Sequence, residues 1–388
     1  MDFAPTAAME EVRGEIREVL AAALPAGWQG CGFLPMDVPP DALPVAQALD
    51  RALAAKQLLA PAWPVEYGGR GLTPFEQFAL YEELGYALAP RLTTISVDLV
   101  GPVLILYGSD EQRRTLLPAI ANEGAVWCQG FSEPNAGSDL TSLRTRAERR
   151  GDRYVVNGHK VWTSMAHCAS WMILLARTGE QDARGRTLSL FLVPTDAPGL
   201  QVRPIYDAVG EHALNEVFFD NVEVPVENRV GEEHEGWRYA TTLLQYERGD
   251  ALFIGQFRRM LDDLEARLRC ASNAGPAAGA LIAQHEVDWR VARLLTLRVV
   301  SMQAAGLLPD LEASQAKLFV SESYQRLGAT AQRLCGLYGA LSRREPLAPL
   351  GGRIEPAAIA STTATLIAGT SEIQRGIIAT RGLGLPRG

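Results

Sequence analysis

The chain has 388 residues, 47% of them apolar and 21% charged, with a formal net charge of -8. That length supports two or three domains with substantial cores, and the composition is that of an ordinary globular protein. The acidic balance speaks against a nucleic-acid partner, which needs a basic field, and no apolar run reaches the ~20 residues that cross a bilayer.

The first 25 residues carry Glu10, Glu11, Glu15 and Glu18 among their basic groups. They lack the basic start, apolar stretch and small-residue site of a secretory signal, and read as an amphipathic helix. Residues 42–59 are rich in Ala and Leu, the best helix formers. Pro61, Pro64 and the glycines of 68–71 break the chain. Thr73 and Pro74 then form an N-cap and first residue of a helix through Leu88, and further helices are expected over 95–107 and 110–121. Residues 1–122 are therefore expected to form a helical domain.

From about 126 to 230 the period changes. Tyr154-Val155-Val156 and Lys160-Val161-Trp162 flank Asn157-Gly158, which predicts a hairpin turning at Asn-Gly. Short strands are expected over 171–176, 188–193, 200–202 and 217–224. A β-barrel or sandwich over 123–233 follows. Helices return from about 236. Phe253, Phe257, Met260, Leu261, Leu264 and Leu268 form one stripe, Val287, Val291, Leu294 and Leu295 begin a second, and Leu327, Ala331 and Leu334 belong to a third. Residues 356–381 make a fourth helix interrupted at Gly369, and 271–283 read as a loop. The expected fold class is α+β, mainly α: an N-terminal helical domain, a middle β domain, and a C-terminal four-helix bundle over 234–388.

Cys31, Cys128, Cys168, Cys270 and Cys335 are scattered, odd in number and without a C-x-x-C pair. Neither a disulfide framework nor a metal site is expected, and a cytoplasmic location fits. His234-Glu235 lacks the second histidine of a zinc helix and reads as loop surface.

Residues 128–139 are the most informative stretch. Pro134 and Gly137 suggest a sharp turn, with Ser132, Ser138 and Asp139 offering short polar groups beside backbone N–H groups. Such a loop suits an acceptor-rich planar ligand and equally suits a plain structural turn. Trp162 alone is either a buried strand tryptophan or a cofactor contact.

The chain resembles the acyl-CoA dehydrogenase family on three motifs in order: E-P-x-A-G-S-D at 133–139, N-G-x-K-x-W at 157–162 with the following Thr163 and Ser164, and G-T-x-x-I-Q-R at 369–375. The resemblance implies FAD, with Gln129, Phe131, Ser132 and Gly137 along the flavin loop and Ser138 near the pyrophosphate and the thioester chain. It implies that Trp162 packs on the flavin, that Thr163 and Ser164 reach its carbonyl and N5 edge, and that Thr370 and Glu372 approach the phosphate or adenine half. The reaction removes an α-proton while the β-carbon gives hydride to flavin N5, so it needs a carboxylate and donors on the thioester oxygen.

Two departures qualify the resemblance. Much of the family places the basic glutamate just before the C-terminal Gly-Thr, where this chain has Ala368. A minority places it on the first long bundle helix, ahead of a CoA-binding arginine. Glu247-Arg248 stands there, so Glu247 is the expected base and Arg248 the CoA ligand, while the backbone N–H of Ala368 polarises the thioester. The R-x-x-F-G segment that binds a neighbour's FAD is also missing, and 333–339 reads R-L-C-G-L-Y-G. That pattern resembles subgroups acting on steroid side chains or dicarboxylic acids, some of them heteromeric. The resemblance implies an acyl-CoA substrate, an electron-transfer flavoprotein as partner, and a homo-oligomer or heterotetramer. The alternatives are a flavin oxidase or N-oxygenase on the same fold, and a non-catalytic or half-active subunit of a heteromer.

Overall fold

The structure, a computed structural model, describes residues 4–31, 34–180, 185–246, 251–270, 276–343 and 345–386. Helix α1 (Ala7–Ala23) starts at Thr6, whose hydroxyl accepts the Met9 N–H. After α2 (Leu43–Ala55), helix α3 (Pro74–Tyr86) opens on a reciprocal cap: the Glu76 N–H donates to the Thr73 hydroxyl and the Thr73 N–H to the Glu76 carboxylate. The helix expected over 95–107 is divided into a widened turn, Ser96–Val100, and α4 (Gly101–Tyr107). Pro102 lies in the first turn of α4 and has no N–H to continue the preceding ladder. Ser109 and Gln112 repeat the reciprocal cap at α5 (Asp110–Glu123).

The described strands form one eight-stranded sheet. They are β1 (Trp127–Gly130), β2 (Arg146–Arg150), β3 (Arg153–Lys160), β4 (Trp171–Arg177), β5 (Leu188–Pro194), β6 (Leu200–Ile205), β7 (Leu214–Pro225) and β8 (Arg229–Val230). Their order is β6-β7-β3-β2-β4-β5-β8, with β1 pairing β4 in parallel. Tyr154, Val156, Leu174, Phe191, Val217 and Val222 are fully buried in the core of this sheet. The hairpin expected at Asn157-Gly158 is not there. Strand β3 runs straight through that pair, antiparallel to β2 on one side and β7 on the other, with a register shift between Val156 and Gly158. The β2–β3 turn falls at Gly151-Asp152 instead, with Gly151 at φ +66°. The physical need at Gly158 is room, since a Cβ there would stand 2.3 Å from Thr145 Oγ1.

Helix α6 (Gly236–Tyr246) packs on β5. The long helices α7 (Ala251–Cys270), α8 (Pro276–Ala304) and α9 (Asp310–Cys335) follow. The expected fourth helix is broken into α10 (Ile354–Ile359), α11 (Ser361–Ala364) and α12 (Ser371–Ile377). Part of the loop expected over 271–283 is the start of α8, with Pro276 in its first turn where a missing N–H costs nothing. The second stripe also differs. Val287, Val291 and Leu294 are 54%, 37% and 50% exposed, whereas Ile282, His285, Ala292, Thr296 and Val299 are buried.

The chain divides into two compact units, 1–35 with 72–90 and 248–388, and 36–71 with 91–247. The first holds α1, α3 and α7 to α12. In it α3 and α7 touch backbone to backbone: a Cβ at Gly85 would lie 2.0 Å from the Leu252 carbonyl oxygen, and one at Gly255 would lie 2.0 Å from that of Glu82. The second holds α2, α4, α5, the sheet and α6. No described helix is long and apolar enough to cross a membrane.

Candidate active site

In the sheet-bearing unit, Gln129 on β1 is half-buried. Its Nε2 is buried with no acceptor among the described residues. A buried donor left open in this way is what a bound acceptor satisfies, so the site fits an acceptor-rich ring. Beyond β1, Phe131 is buried and Ser132 half-buried. Glu133 and Ala136 exchange both backbone hydrogen bonds, at 2.9 and 3.0 Å, so the sharp turn centres on Pro134-Asn135. Gly137 and Ser138 follow, both exposed, and a Cβ at Gly137 would meet nothing.

One buried ion pair ties this loop to β3. The Lys160 ammonium, with no exposed surface, donates to the Phe131 carbonyl and to Glu133 Oε1, each at 2.9 Å. The Glu133 carboxylate also accepts the N–H groups of Arg144 and Thr145 at 2.7 and 2.8 Å. Burial pulls Lys160 down to about 8, although Glu133 opposes it. Burial alone would raise the Glu133 carboxyl, but Lys160 and the Thr145 and Arg144 donors outweigh it and hold it below its ordinary value. One residue on, the Val161 N–H donates to the Ser132 carbonyl at 3.0 Å. The first two motifs therefore lie side by side.

The chain then turns sharply. Trp162 sits at φ +60° and is 59% exposed, between buried Val161 and Thr163. A bulky residue in the left-handed region costs about 1–3 kcal/mol and persists only where its surroundings hold it. Ser164 is half-buried. Thr163 has no exposed surface, and its hydroxyl, like Gln129 Nε2, is buried with no partner among the described residues. Its N–H donates to the Asn215 carbonyl at 3.0 Å, and its carbonyl accepts the Asn215 side-chain amide at 2.9 Å.

In the helical unit, Ala368 and Gly369 take φ +51° and +83°, and the Thr370 hydroxyl caps α12 by accepting the Ile373 N–H. The Gly369 carbonyl accepts the buried Lys317 ammonium at 2.8 Å, and the Ala368 carbonyl accepts Gln374 Nε2 at 3.0 Å. The Ala368 N–H donates to no group among the described residues. Glu372 is exposed, and its carboxyl is lowered by its own backbone N–H and then by the Thr370 hydroxyl. Arg375 pairs with Glu322 at 2.6 Å. Glu247 and Arg248 lie outside the described residues.

Sequence reasoning singled out the motifs but passed over the group that joins two of them, although both Glu133 and Lys160 stand inside the quoted patterns. Lys317 and Asn215 carry no local signal, because each acts on a residue some fifty positions away.

The sequence matches the acyl-CoA dehydrogenase N-terminal domain over residues 7–124, the middle domain over 128–222 and the C-terminal domain over 234–383. It is 37% identical over 389 residues to the acyl-CoA dehydrogenase IpdE1 of Mycobacterium tuberculosis, covering 98% of each chain. It is 34% identical over 351 residues to the acyl-CoA dehydrogenase FadE29 of the same organism, covering 89% of each. Among solved structures it resembles the Tcur3481-Tcur3483 steroid ACAD, with a TM-score of 0.92, 31% identity and 100% of each chain covered. It also resembles the ChsE4-ChsE5 complex from Mycobacterium tuberculosis, with a TM-score of 0.88, 32% identity and 100% of each chain covered.

Proposed function

We propose, from the premise that this chain belongs to the acyl-CoA dehydrogenase family of FAD-dependent oxidoreductases, that it abstracts the α-proton of an acyl-CoA thioester through Glu247. The bound FAD supplies the acceptor for the β-hydride. Gln129, Phe131, Ser132, Gly137, Ser138, Trp162 and Ser164 line the flavin side, and Thr370 and Glu372 reach toward its phosphate or adenine half. Thr163 joins the flavin side through its hydroxyl, which has no partner among the described residues, while its backbone fixes the turn. Arg248 binds the CoA phosphates, as a guanidinium suits phosphate oxygens. The Ala368 N–H donates to the thioester oxygen and so lowers the cost of charge developing there.

The observation that carries this reading is the Trp162 turn. An exposed indole is held in left-handed backbone, directly after a residue hydrogen-bonded to the Ser132 carbonyl. A structural tryptophan would be expected to bury its ring instead. The Ala368 N–H, which has no acceptor among the described residues, gives independent support in the helical unit.

The acyl group we propose is a steroid side-chain or dicarboxylic thioester, supported by the missing glutamate at 368 and by the likeness to a steroid ACAD. Electrons pass on to an electron-transfer flavoprotein. Two of the similar structures carry the names of two chains each. With the missing R-x-x-F-G segment, they support assembly with a second, related chain rather than with itself. The test is anaerobic flavin bleaching across a panel of acyl-CoAs, on the chain alone and with a co-expressed partner. A protein that stays colourless with added FAD in both forms refutes the reading. Rapid reaction of the reduced flavin with oxygen would favour an oxidase.

A further inference from the structure

The Trp162 turn needs something to hold it, and the structure shows what does. Asn215 on β7 has no exposed surface, and its side-chain amide makes three contacts, to this turn and to two histidines. Its Nδ2 donates to the Thr163 carbonyl at 2.9 Å and lies 3.2 Å from His167 Nδ1. Its Oδ1 lies 2.9 Å from His212 Nε2. The amide orientation follows from Thr163, because a carbonyl needs a donor. Oδ1 can only accept, so His212 Nε2 carries a proton, and Nδ2 gives its second hydrogen to an unprotonated His167 Nδ1. The two imidazole rings stand 4.1 Å apart. On the backbone, Asn215 also accepts the Thr163 N–H, and the Met165 N–H donates to the Ala213 carbonyl at 3.1 Å. Both non-glycine residues of the turn with positive φ, Trp162 and Met165 at +63°, are thus bracketed by bonds to the first residues of β7 and the one before them.

We propose that Asn215 is a positioning residue for the flavin, setting the pose of Trp162 and Ser164 through Thr163, with His167 and His212 fixing its amide. This rests on the reading of Trp162 as a flavin contact. Left-handed backbone at an indole relaxes once its clamp is removed. A buried amide held at both of its donors and at its oxygen is a clamp with one geometry, since turning it over sets Oδ1 against the Thr163 carbonyl. Asn215 touches no substrate, so its effect must pass through the turn.

The test compares wild type, Asn215→Ala, His212→Ala and Trp162→Phe, and each of Asn215→Ala and His212→Ala combined with Trp162→Phe. His212→Ala removes only one bond from a half-buried side chain, and it carries the test if Asn215→Ala does not fold. Three quantities are read: the flavin visible band, the flavin dissociation constant, and the emission of the apoprotein less that of its Trp162→Phe counterpart. Asn215→Ala is expected to shift the visible band and the Trp162 emission, and to weaken flavin binding about tenfold, the equivalent of one buried hydrogen bond. His212→Ala should move all three in the same direction by less. In the Trp162→Phe background the effect of Asn215→Ala should shrink to about half or less, because both changes act on one turn. A wild-type flavin spectrum and affinity in folded Asn215→Ala or His212→Ala, with Trp162→Phe altered, overturns the proposal and leaves the flavin reading standing. If Trp162→Phe also leaves the flavin unchanged, both fall. Full additivity with Trp162→Phe means that Asn215 acts elsewhere and overturns the proposal alone.

Discussion

Replacing Lys160 with methionine removes the one ammonium that joins the flavin loop to β3 while keeping most of the side-chain volume. The Phe131 carbonyl loses its Lys160 donor, and Glu133 is left with the N–H groups of Arg144 and Thr145. Removing one partner of a buried ion pair costs about 3–5 kcal/mol. Two backbone donors survive and the carboxyl can take up a proton, so the lower end, about 3 kcal/mol, is expected. Because Lys160 is fully buried, no reduction for solvent screening applies. The measurement is urea unfolding of the apoprotein at pH 7 beside flavin retention of the holoprotein. Adding Glu133→Gln should recover part of the loss, since an uncharged pair has less to lose by burial. On the acid side the sign with pH is set by Glu133. Its folded value is depressed, so the stability it contributes is present above its unfolded value of 4.5 and lost as pH falls through the folded one. The gap between wild type and Lys160→Met should therefore narrow as pH falls below 4.5 and widen above about pH 8, where the folded state has shed the Lys160 proton that the unfolded chain keeps up to 10.5. A Lys160→Met protein within about 0.5 kcal/mol of wild type, with flavin retention unchanged, would refute the reasoning.

Glu247→Gln should keep FAD and lower the rate of flavin reduction by roughly 10²–10⁴-fold, the usual worth of a positioned base, as stopped-flow absorbance would show. Arg248→Ala should instead chiefly weaken CoA binding, visible as a raised KM. Ala368→Gly should stabilise the protein by about 0.5–1 kcal/mol, because glycine accepts the φ of +51° without a Cβ clash; a lower denaturation midpoint would contradict this. Asp50 is buried, and burial, against the pull of Arg91 and Thr93, raises its carboxyl from 3.8 to about 6. The folded state then holds that proton more tightly, so the stability Asp50 contributes is full below 3.8 and lost by about pH 6. The two-unit shift is worth about 3 kcal/mol, and Asp50→Asn should remove that much of the stability loss between pH 4 and 7 in denaturant titrations.

Local chemistry was legible wherever a few neighbouring residues decide the outcome. Thr73-Pro74 opens α3, and the β-prone runs near 171, 188 and 217 became β4, β5 and β7, because caps and strand preference act within a turn or two. The three motifs likewise placed the chain in its family, since close backbone turns restrict which residues can stand there. Tertiary structure decided whatever depends on a distant partner. Asn157-Gly158 carries a hairpin signal, yet pairing with both β2 and β7 keeps β3 extended through it. Val287, Val291 and Leu294 have helical spacing, but the packed face of α8 runs through Ile282, His285, Ala292 and Thr296, and periodicity alone cannot choose between two faces. Thr163 stands in a motif, but that its backbone is held on both sides by Asn215, fifty-two positions later, could be read only from the fold. Sequence fixes which groups are present and how the chain bends locally; which of them meet depends on contacts whose entropy of closure is recovered only when the whole sheet is formed.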